Sequence, residues 1–545
     1  TNNYLLTAAI KPASNSVNSQ ESFVAIHIRT SDGGQSVAAT VIASGVRCQE
    51  LDRLRSNFGA LCVPVARANA VLGMLQFTRG HYLVFATTKL VAHIGPHPIF
   101  EVQDSKLVAL WSSSGGSFAF GDVESKYVEI FQNADLDNTF YLSPTYDLTS
   151  TLQESFLSDG VKASPAVRRL SLSSTAENSD TGGNSASSFA TVDAGTNALP
   201  FVLSRTLEAG RPKYDWGGWL RSGVSSLACL HALTAPMIHG AVVQRVLSDR
   251  KGIPGNESAC HFILTLVARM SANYAGVRYR KRGVNADGHV ANHVEVEQIL
   301  FDPEGTANGG RLGRWCSITQ IRGSVPLFWH HDPGVTRPKP PILYGLHDNT
   351  FSATKRHFAE LLTDYGAPIV CISLLKRNEK SGREAMLAKK YREAIQSLQA
   401  EIWQGESEPA HFNAKRPMLP RPYRAPVIEL HEFDFRAETN RAWNEMFSLS
   451  EISFDRTNMF EVDADGVVKS TQNGTVRSNC VDCVDRTNYA QFFVGLHAAA
   501  QQLYRFGVFS SPAELAAHEE LVQTILSMWI TVGDNIAVRY GGSMT

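Results

Sequence analysis

The feature that most constrains the fold lies near the end of the chain, in the string Arg477-Ser-Asn-Cys480-Val-Asp-Cys-Val-Asp-Arg486-Thr-Asn488. Beyond it, Ala490, Phe493, Val494, His497 and Tyr504 recur at helical intervals up to Gly507 and predict a helix over residues 487–506. A cysteine, five residues and an arginine ahead of a helix describe a tight loop whose backbone N–H groups converge on an anion-sized space. The helix N-terminus brings partial positive charge to the same place. That field favours the thiolate of Cys480, the nucleophilic form of a cysteine.

The other residues of the string have chemistry to match. Arg486 closes the loop with a planar fork that grips two oxygens of a phosphate, which lysine cannot do. Thr487 is placed to hydrogen-bond the thiolate or the departing sulfur. Asp482 and Asp485 are the candidate acids for protonating a leaving oxygen, with Asp332 in Trp329-His-His-Asp332 as an alternative on a separate loop. Asn479, Val481, Cys483 and Val484 line the loop as candidate substrate-binding positions. Such a site attacks phosphorus in line, forms a phosphocysteine and releases it to water. Amides and Arg486 neutralise the developing charge, so no metal or other cofactor is expected.

Cys480 and Cys483 also form a C-x-x-C pair, which by itself reads as a redox motif or half a zinc site. A zinc site needs two more ligands, and no second C-x-x-C is present. Thiol exchange leaves Arg486-Thr487 without a purpose. A disulfide that shields Cys480 from overoxidation stays open as a role for Cys483. The other cysteines, such as Cys371 in APIVCISLL, read as small buried hydrophobes, and nothing resembles a secreted disulfide framework.

Lys+Arg 51 against Asp+Glu 52 leaves a formal net charge of -1, so no global field draws the chain to nucleic acid or acidic lipid. Attraction to an anion has to come from a local cluster. Arg278, Arg280, Lys281 and Arg282 form one candidate, read either as a solvated strand face or as a basic rim, and Lys339 between prolines has the same standing. Glu295 and Glu297 read as partners for arginines, and His497 as a packed residue. The most apolar stretch, 227–243, is interrupted by His231, Pro236 and His239, so no bilayer-spanning segment is expected.

At 545 residues two domains are the default. The first third reads as short strands, with FVAIHI at 23–28 and HYLVFATT, KLVAHIG and PIFEV broken at Thr88-Lys89 and Gly95-Pro96. Residues 158–198 are rich in Ser, Thr, Ala and Gly and are expected to form a disordered loop or linker, within which Arg168-Arg169-Leu170-Ser171 is a string of the kind that attracts a basic-directed kinase and that arises often by chance. After Trp216, strands are expected at HFILTLVARM, GVRYRKR, APIVCISLL and VIELHEFDF, with a helix over 383–402. Alternating strands and helices indicate an α/β domain.

RSNCVDCVDRTN resembles the signature of the Sac-domain phosphoinositide phosphatases, and GVRYRKRGVNADGHVANHVEVEQIL, RGSVPLFW with RPKPPI, and FQNADLDNTFYLSPTYDLTSTLQ resemble other blocks of that family. KLVAHIGPHPIFEV, TNYAQFFVGLHAAAQQLY and the terminal YGGS are most similar to its endosomal and vacuolar branch. Val484, where the family usually has Leu, and the Ser-rich insertion depart from the pattern. The resemblance implies a β-rich N-terminal domain (1–157) packed on an α/β catalytic domain (199–545) that carries the Cys-x5-Arg loop, with Cys480, Asp482 and Arg486, and also Asp485, in catalytic roles. It also implies a phosphoinositide headgroup as substrate, most like phosphatidylinositol 3,5-bisphosphate losing its 5-phosphate, with phosphatidylinositol 4-phosphate as the alternative. The branch further implies a cytoplasmic protein peripheral on endosomal or vacuolar membranes, with a PIKfyve-type lipid kinase and a helical-repeat scaffold as partners. In that setting the chain is alternatively a scaffold subunit with gated activity.

Overall fold

The computed structural model describes residues 2–10, 22–31, 35–46, 68–110, 123–133, 136, 138–158, 211–248, 261–277, 280–303, 313–331, 341–345, 348–376, 383–404, 427–433 and 440–542. Arg278, Asp332, Lys339 and the Ser-rich stretch 159–198 lie outside them. Two compact units divide the chain, one drawn from Thr1–Ser150 and Ser171–Ile238, the other from Thr151–Leu170 and His239–Thr545.

The first unit is β-rich. Asn2–Ile10, Ser22–Ser31 and Ser36–Val46 form an antiparallel sheet, and Ala70–Gln76, His81–Ile94, His97–Ala109 and Phe140–Leu142 pair antiparallel in sequence order. The break expected at Thr88-Lys89 is absent. His81–Ile94 is one 14-residue strand, and the ladder shifts register there between Thr87 and Thr88 and again between Leu90 and Ala92. Polar residues that read as a turn are absorbed by bulges, which bend a strand without ending it. Gly95-Pro96 does turn, with Gly95 at φ +55.

The second unit is α/β around a mixed sheet. Its strands run in the order Ile428–Glu432, Ile369–Ser373, Thr475–Asn479, Arg314–Arg322, Val294–Asp302, His261–Met270 and Met237–Ser248. The first four are mutually parallel and the remainder antiparallel. All five residues of Ile369–Ser373 are buried, as its continuous apolar run predicts for a strand covered on both faces. Strand alternation sends Ile369 and Cys371 into one core with helices Ser352–Tyr365 and Arg383–Gln404. Ile372 and Leu374 enter the opposite core, with helices Asp485–Arg505 and Glu519–Gly541. Those two helices approach closely at Gly495, where an added Cβ would meet the Trp529 ring at 2.5 Å.

GVRYRKR is not a strand in its described residues, because Arg282 turns inward to an ion pair instead of alternating along a ladder. Tyr504 is 43% exposed instead of packed, since the inner face of its helix is completed by Gln491 and Gln502. One helix bears on the membrane expectation, which rests on unbroken apolar runs. Glu519–Gly541 is a 23-residue helix that is long and apolar enough to cross a bilayer by length and composition alone. Scattered Ser, Thr, Asp and Asn hide it from a search for unbroken apolar runs. One face, with Ile525, Met528, Trp529, Val532 and Ile536, is packed in the core.

Candidate active site

The parallel strands Arg314–Arg322, Ile369–Ser373 and Thr475–Asn479 end together, and crevices at the carboxyl ends of such strands are where α/β proteins bind ligands. The middle strand, Thr-Val-Arg-Ser-Asn, is wholly buried although four of its five residues are polar. Directional bonds make this possible. Thr475 Oγ1 donates to the Thr319 carbonyl at 2.9 Å, and Asn479 Nδ2 donates to Ser373 Oγ at 3.3 Å. Arg477 donates from Nε to His357 Nε2 at 3.0 Å, from Nη1 to Asn479 Oδ1 at 3.2 Å, and from Nη2 to the Ser324 carbonyl at 2.7 Å. His357 is thereby the Nδ1–H tautomer, with Nδ1 3.1 Å from the Gly288 carbonyl.

Residues 480–484 bridge this strand to helix Asp485–Arg505. Side chains from outside the loop hold its carbonyls. Asn292 Nδ2 donates to the Asp482 carbonyl at 3.0 Å, and Arg322 Nη2 donates to the carbonyls of Cys483 and of Val484, the latter at 2.8 Å. In a planar trans peptide the N–H points opposite to the C=O. The amides of 483, 484 and 485 therefore turn away from those anchors, and the Cys483 N–H lies 3.1 Å from Cys480 Sγ. Val484 caps the helix without a side-chain bond, so first-turn amides keep their donors free for the loop side. Cys483 adopts φ +53, a left-handed conformation that costs a non-glycine residue about 1–3 kcal/mol and is typical of functional sites.

Cys480 is 2% exposed, yet its thiol is pulled down to about 6. Hydrogen bonding from the Cys483 thiol is the largest cause; burial opposes it, and the Arg486 charge and the Thr487 hydroxyl add to the lowering. Cys483 moves the other way, raised well above the usual thiol range first by burial and then by donating to Cys480. It stays a thiol and serves as a donor. Both cysteines are free.

The remaining sequence candidates are distributed as follows. Asp482 Oδ1 accepts from Arg282 Nη2 at 2.9 Å, and the Asp482 side chain is 31% exposed. Asp485 is exposed in the first helical turn. Thr487 is fully buried, with its hydroxyl turned to Cys480 but making no hydrogen bond of regular geometry. Arg486 Nη1 and Nη2 donate to the two oxygens of Glu384 at 2.9 and 3.2 Å. The Val481 side chain belongs to the core, and Asn479 is committed to Ser373 and Arg477. Lys281 rests its Nζ 4.8 Å from the Tyr274 ring centroid. Glu295 and Glu297 pair with Arg269 at 3.0 and 2.7 Å, and His497 is buried between Phe447 and Phe454 with its pKa lowered by burial. No group of three or more His, Cys, Asp or Glu gathers among the described residues.

Sequence reasoning misses Arg322, Asn292 and Glu384, and it sees Arg282 only as part of a charge run. Arg322 carries one usable signal, a charge closing the apolar strand WCSITQIR, where a fully buried arginine has to find acceptors.

A sequence-family model described as SacI homology domain matches residues 69–440, and the chain belongs to that family. The chain is 31% identical over 491 residues to the polyphosphoinositide phosphatase of Schizosaccharomyces pombe, an alignment that covers 88% of this chain and 50% of the relative. It is 27% identical over 532 residues to the phosphatidylinositol-3-phosphatase SAC1 of Arabidopsis thaliana, covering 88% and 52%. It is 26% identical over 482 residues to the phosphatidylinositol-3-phosphatase SAC1-B of Danio rerio, covering 87% and 67%. The chain spans about half the length of the first two relatives.

Proposed function

We propose that this protein is a phosphoinositide phosphatase that works through Cys480. The observation that carries the reading is a buried thiol pulled down to about 6 at the mouth of a helix, within reach of the Arg486 charge. Family membership and the activities for which the relatives are named support the substrate class. The thiolate attacks phosphorus, the P–O bond to the inositol ring breaks, and the departing oxygen takes a proton from an aspartic acid. Asp482 suits that role better than Asp485 because it belongs to the loop. A substrate dianion beside it raises its affinity for the proton against the pull of Arg282. Loop amides and Arg486 carry the charge of the transferring group, and water then cleaves the phosphocysteine.

Within this class we propose phosphatidylinositol 3,5-bisphosphate as substrate, with the 5-phosphate removed by a cytoplasmic enzyme peripheral on endosomal or vacuolar membranes. A lipid kinase and a helical-repeat scaffold are the partners, and the β-rich part (1–157) and the catalytic part (199–545) are the domains. Resemblance to that branch supports these points. The names of two relatives favour the 3-phosphate instead, so ring position is decided by assay.

A panel of soluble phosphoinositides, with inorganic phosphate released as the readout, tests the reading. Wild type turns over phosphatidylinositol 3,5-bisphosphate, and Cys480→Ser loses at least about a thousandfold. Equal turnover by the variant sinks the cysteine route. Release from phosphatidylinositol 4-phosphate alone, or from the 3-phosphate alone, reassigns the substrate.

A further inference from the structure

A guanidinium carries five N–H donors in one plane. In Arg486 the protein takes three of them. Nη1 donates to the Leu374 carbonyl at 2.6 Å and to Glu384 Oε2 at 2.9 Å, and Nη2 donates to Glu384 Oε1 at 3.2 Å. The end of the fork is thus engaged by a single carboxylate. The side edge remains, made of Nε–H and the second Nη2–H, two parallel donors that match two oxygens of one phosphate. Glu384 is itself anchored. Its side chain is 10% exposed, it lies in the first turn of helix Arg383–Gln404, and Oε2 also accepts the Lys376 N–H at 3.0 Å.

We infer that Glu384 is a positioning residue for the phosphatase reaction: it holds Arg486 by the end of its fork so that the side edge meets the substrate phosphate. The inference rests on the phosphatase reading of the loop. Arginine has a flexible stem, and a guanidinium fixed in advance gives up less conformational freedom when the phosphoryl group moves through the transition state. A carboxylate in this place has one other physical meaning, that of a competitor occupying the phosphate's seat. The two meanings differ in sign, because removal of a positioner slows turnover and removal of a competitor speeds it.

Glu384→Gln keeps the shape and one acceptor arm, and Glu384→Asp keeps the charge but draws the fork back by one methylene. Three quantities are measured for each: kcat and KM on the phosphoinositide that wild type turns over, the ratio of Cys480 alkylation rates by iodoacetate and iodoacetamide, and the thermal midpoint. The alkylation ratio reports whether a cation stands beside the thiolate and needs no turnover. Glu384→Gln is expected to lose about tenfold to a hundredfold in kcat/KM, mostly in kcat, as misplacement of a reacting group does. Its preference for the anionic reagent falls toward that of Arg486→Gln, and Glu384→Asp restores part of both. A folded Glu384→Gln with unchanged kcat/KM and ratio overturns the inference, and so does a rise in kcat/KM. If Glu384→Gln does not fold, Glu384→Asp decides, with an unchanged ratio counting against the inference and a lowered one supporting it. A wild type that releases no phosphate from any phosphoinositide sinks the phosphatase reading separately, and the alkylation ratio still judges whether Glu384 places Arg486.

Discussion

Strands Ile369–Ser373 and Thr475–Asn479 lie side by side, parallel and equally buried, and are built from opposite materials. Ile-Val-Cys-Ile-Ser is held by removing apolar surface from water on both sheet faces. Thr-Val-Arg-Ser-Asn is held by hydrogen bonds with fixed directions, most of them made by Arg477. Each strand also brings a cysteine. Burial pushes the Cys371 thiol up to about 11, whereas Cys480, one residue beyond the polar strand, sits at about 6. Depth is the same for both sulfurs, so depth does not set reactivity. Cys480 differs because its strand ends in a loop whose carbonyls are tied outward and whose Cys483, through its N–H and its thiol, donates toward the sulfur.

Substitutions in the two strands should separate these two ways of holding a chain. Arg477→Ala strands His357, Asn479 and the Ser324 carbonyl at once, and at about 1–3 kcal/mol for each buried orphan the loss should exceed about 4 kcal/mol. A urea midpoint close to wild type would show that the polar strand does not depend on its arginine. Ile372→Ala in the apolar strand opens a cavity and should cost about 3 kcal/mol, read from the same denaturation curve. A cost above that of Arg477→Ala would reverse the ranking of the two strands. Ser478→Ala should lose no more than about 0.5 kcal/mol and can gain about 1 kcal/mol, because its buried hydroxyl meets no hydrogen-bond partner and its removal relieves a desolvation cost. A larger loss would reveal a bond in the polar strand beyond those that Arg477, Thr475 and Asn479 make.

The same contrast explains which parts of the molecule are legible in the sequence. APIVCISLL announces a covered strand because an unbroken apolar run has few other fates, and the helix over 383–402 follows from its periodicity. Helix Asp485–Arg505 is legible from the apolar positions that follow Arg486. Thr-Val-Arg-Ser-Asn carries no such signal. Its place in the sheet depends on acceptors from Thr319, Ser324 and His357, more than a hundred residues away in sequence. Arg322, Asn292 and Glu384 are hidden for the same reason, since a charged or polar residue reads as solvated until its partner is known. The bulged strand His81–Ile94 shows the opposite error, in which local polar residues suggest a break that pairing along the whole ladder overrides.

How Cys480 is held can be read from the pH dependence of its alkylation by iodoacetamide, followed by peptide mapping. An ionised sulfur facing the loop donors is labelled with a rate that rises with pH and is half-maximal near 6, while orthovanadate slows it and Cys371 stays unlabelled. Cys483→Ala, which removes the largest cause of the lowering, moves the midpoint upward. A midpoint near the ordinary thiol value of 9.0, with no protection by orthovanadate, would contradict that arrangement.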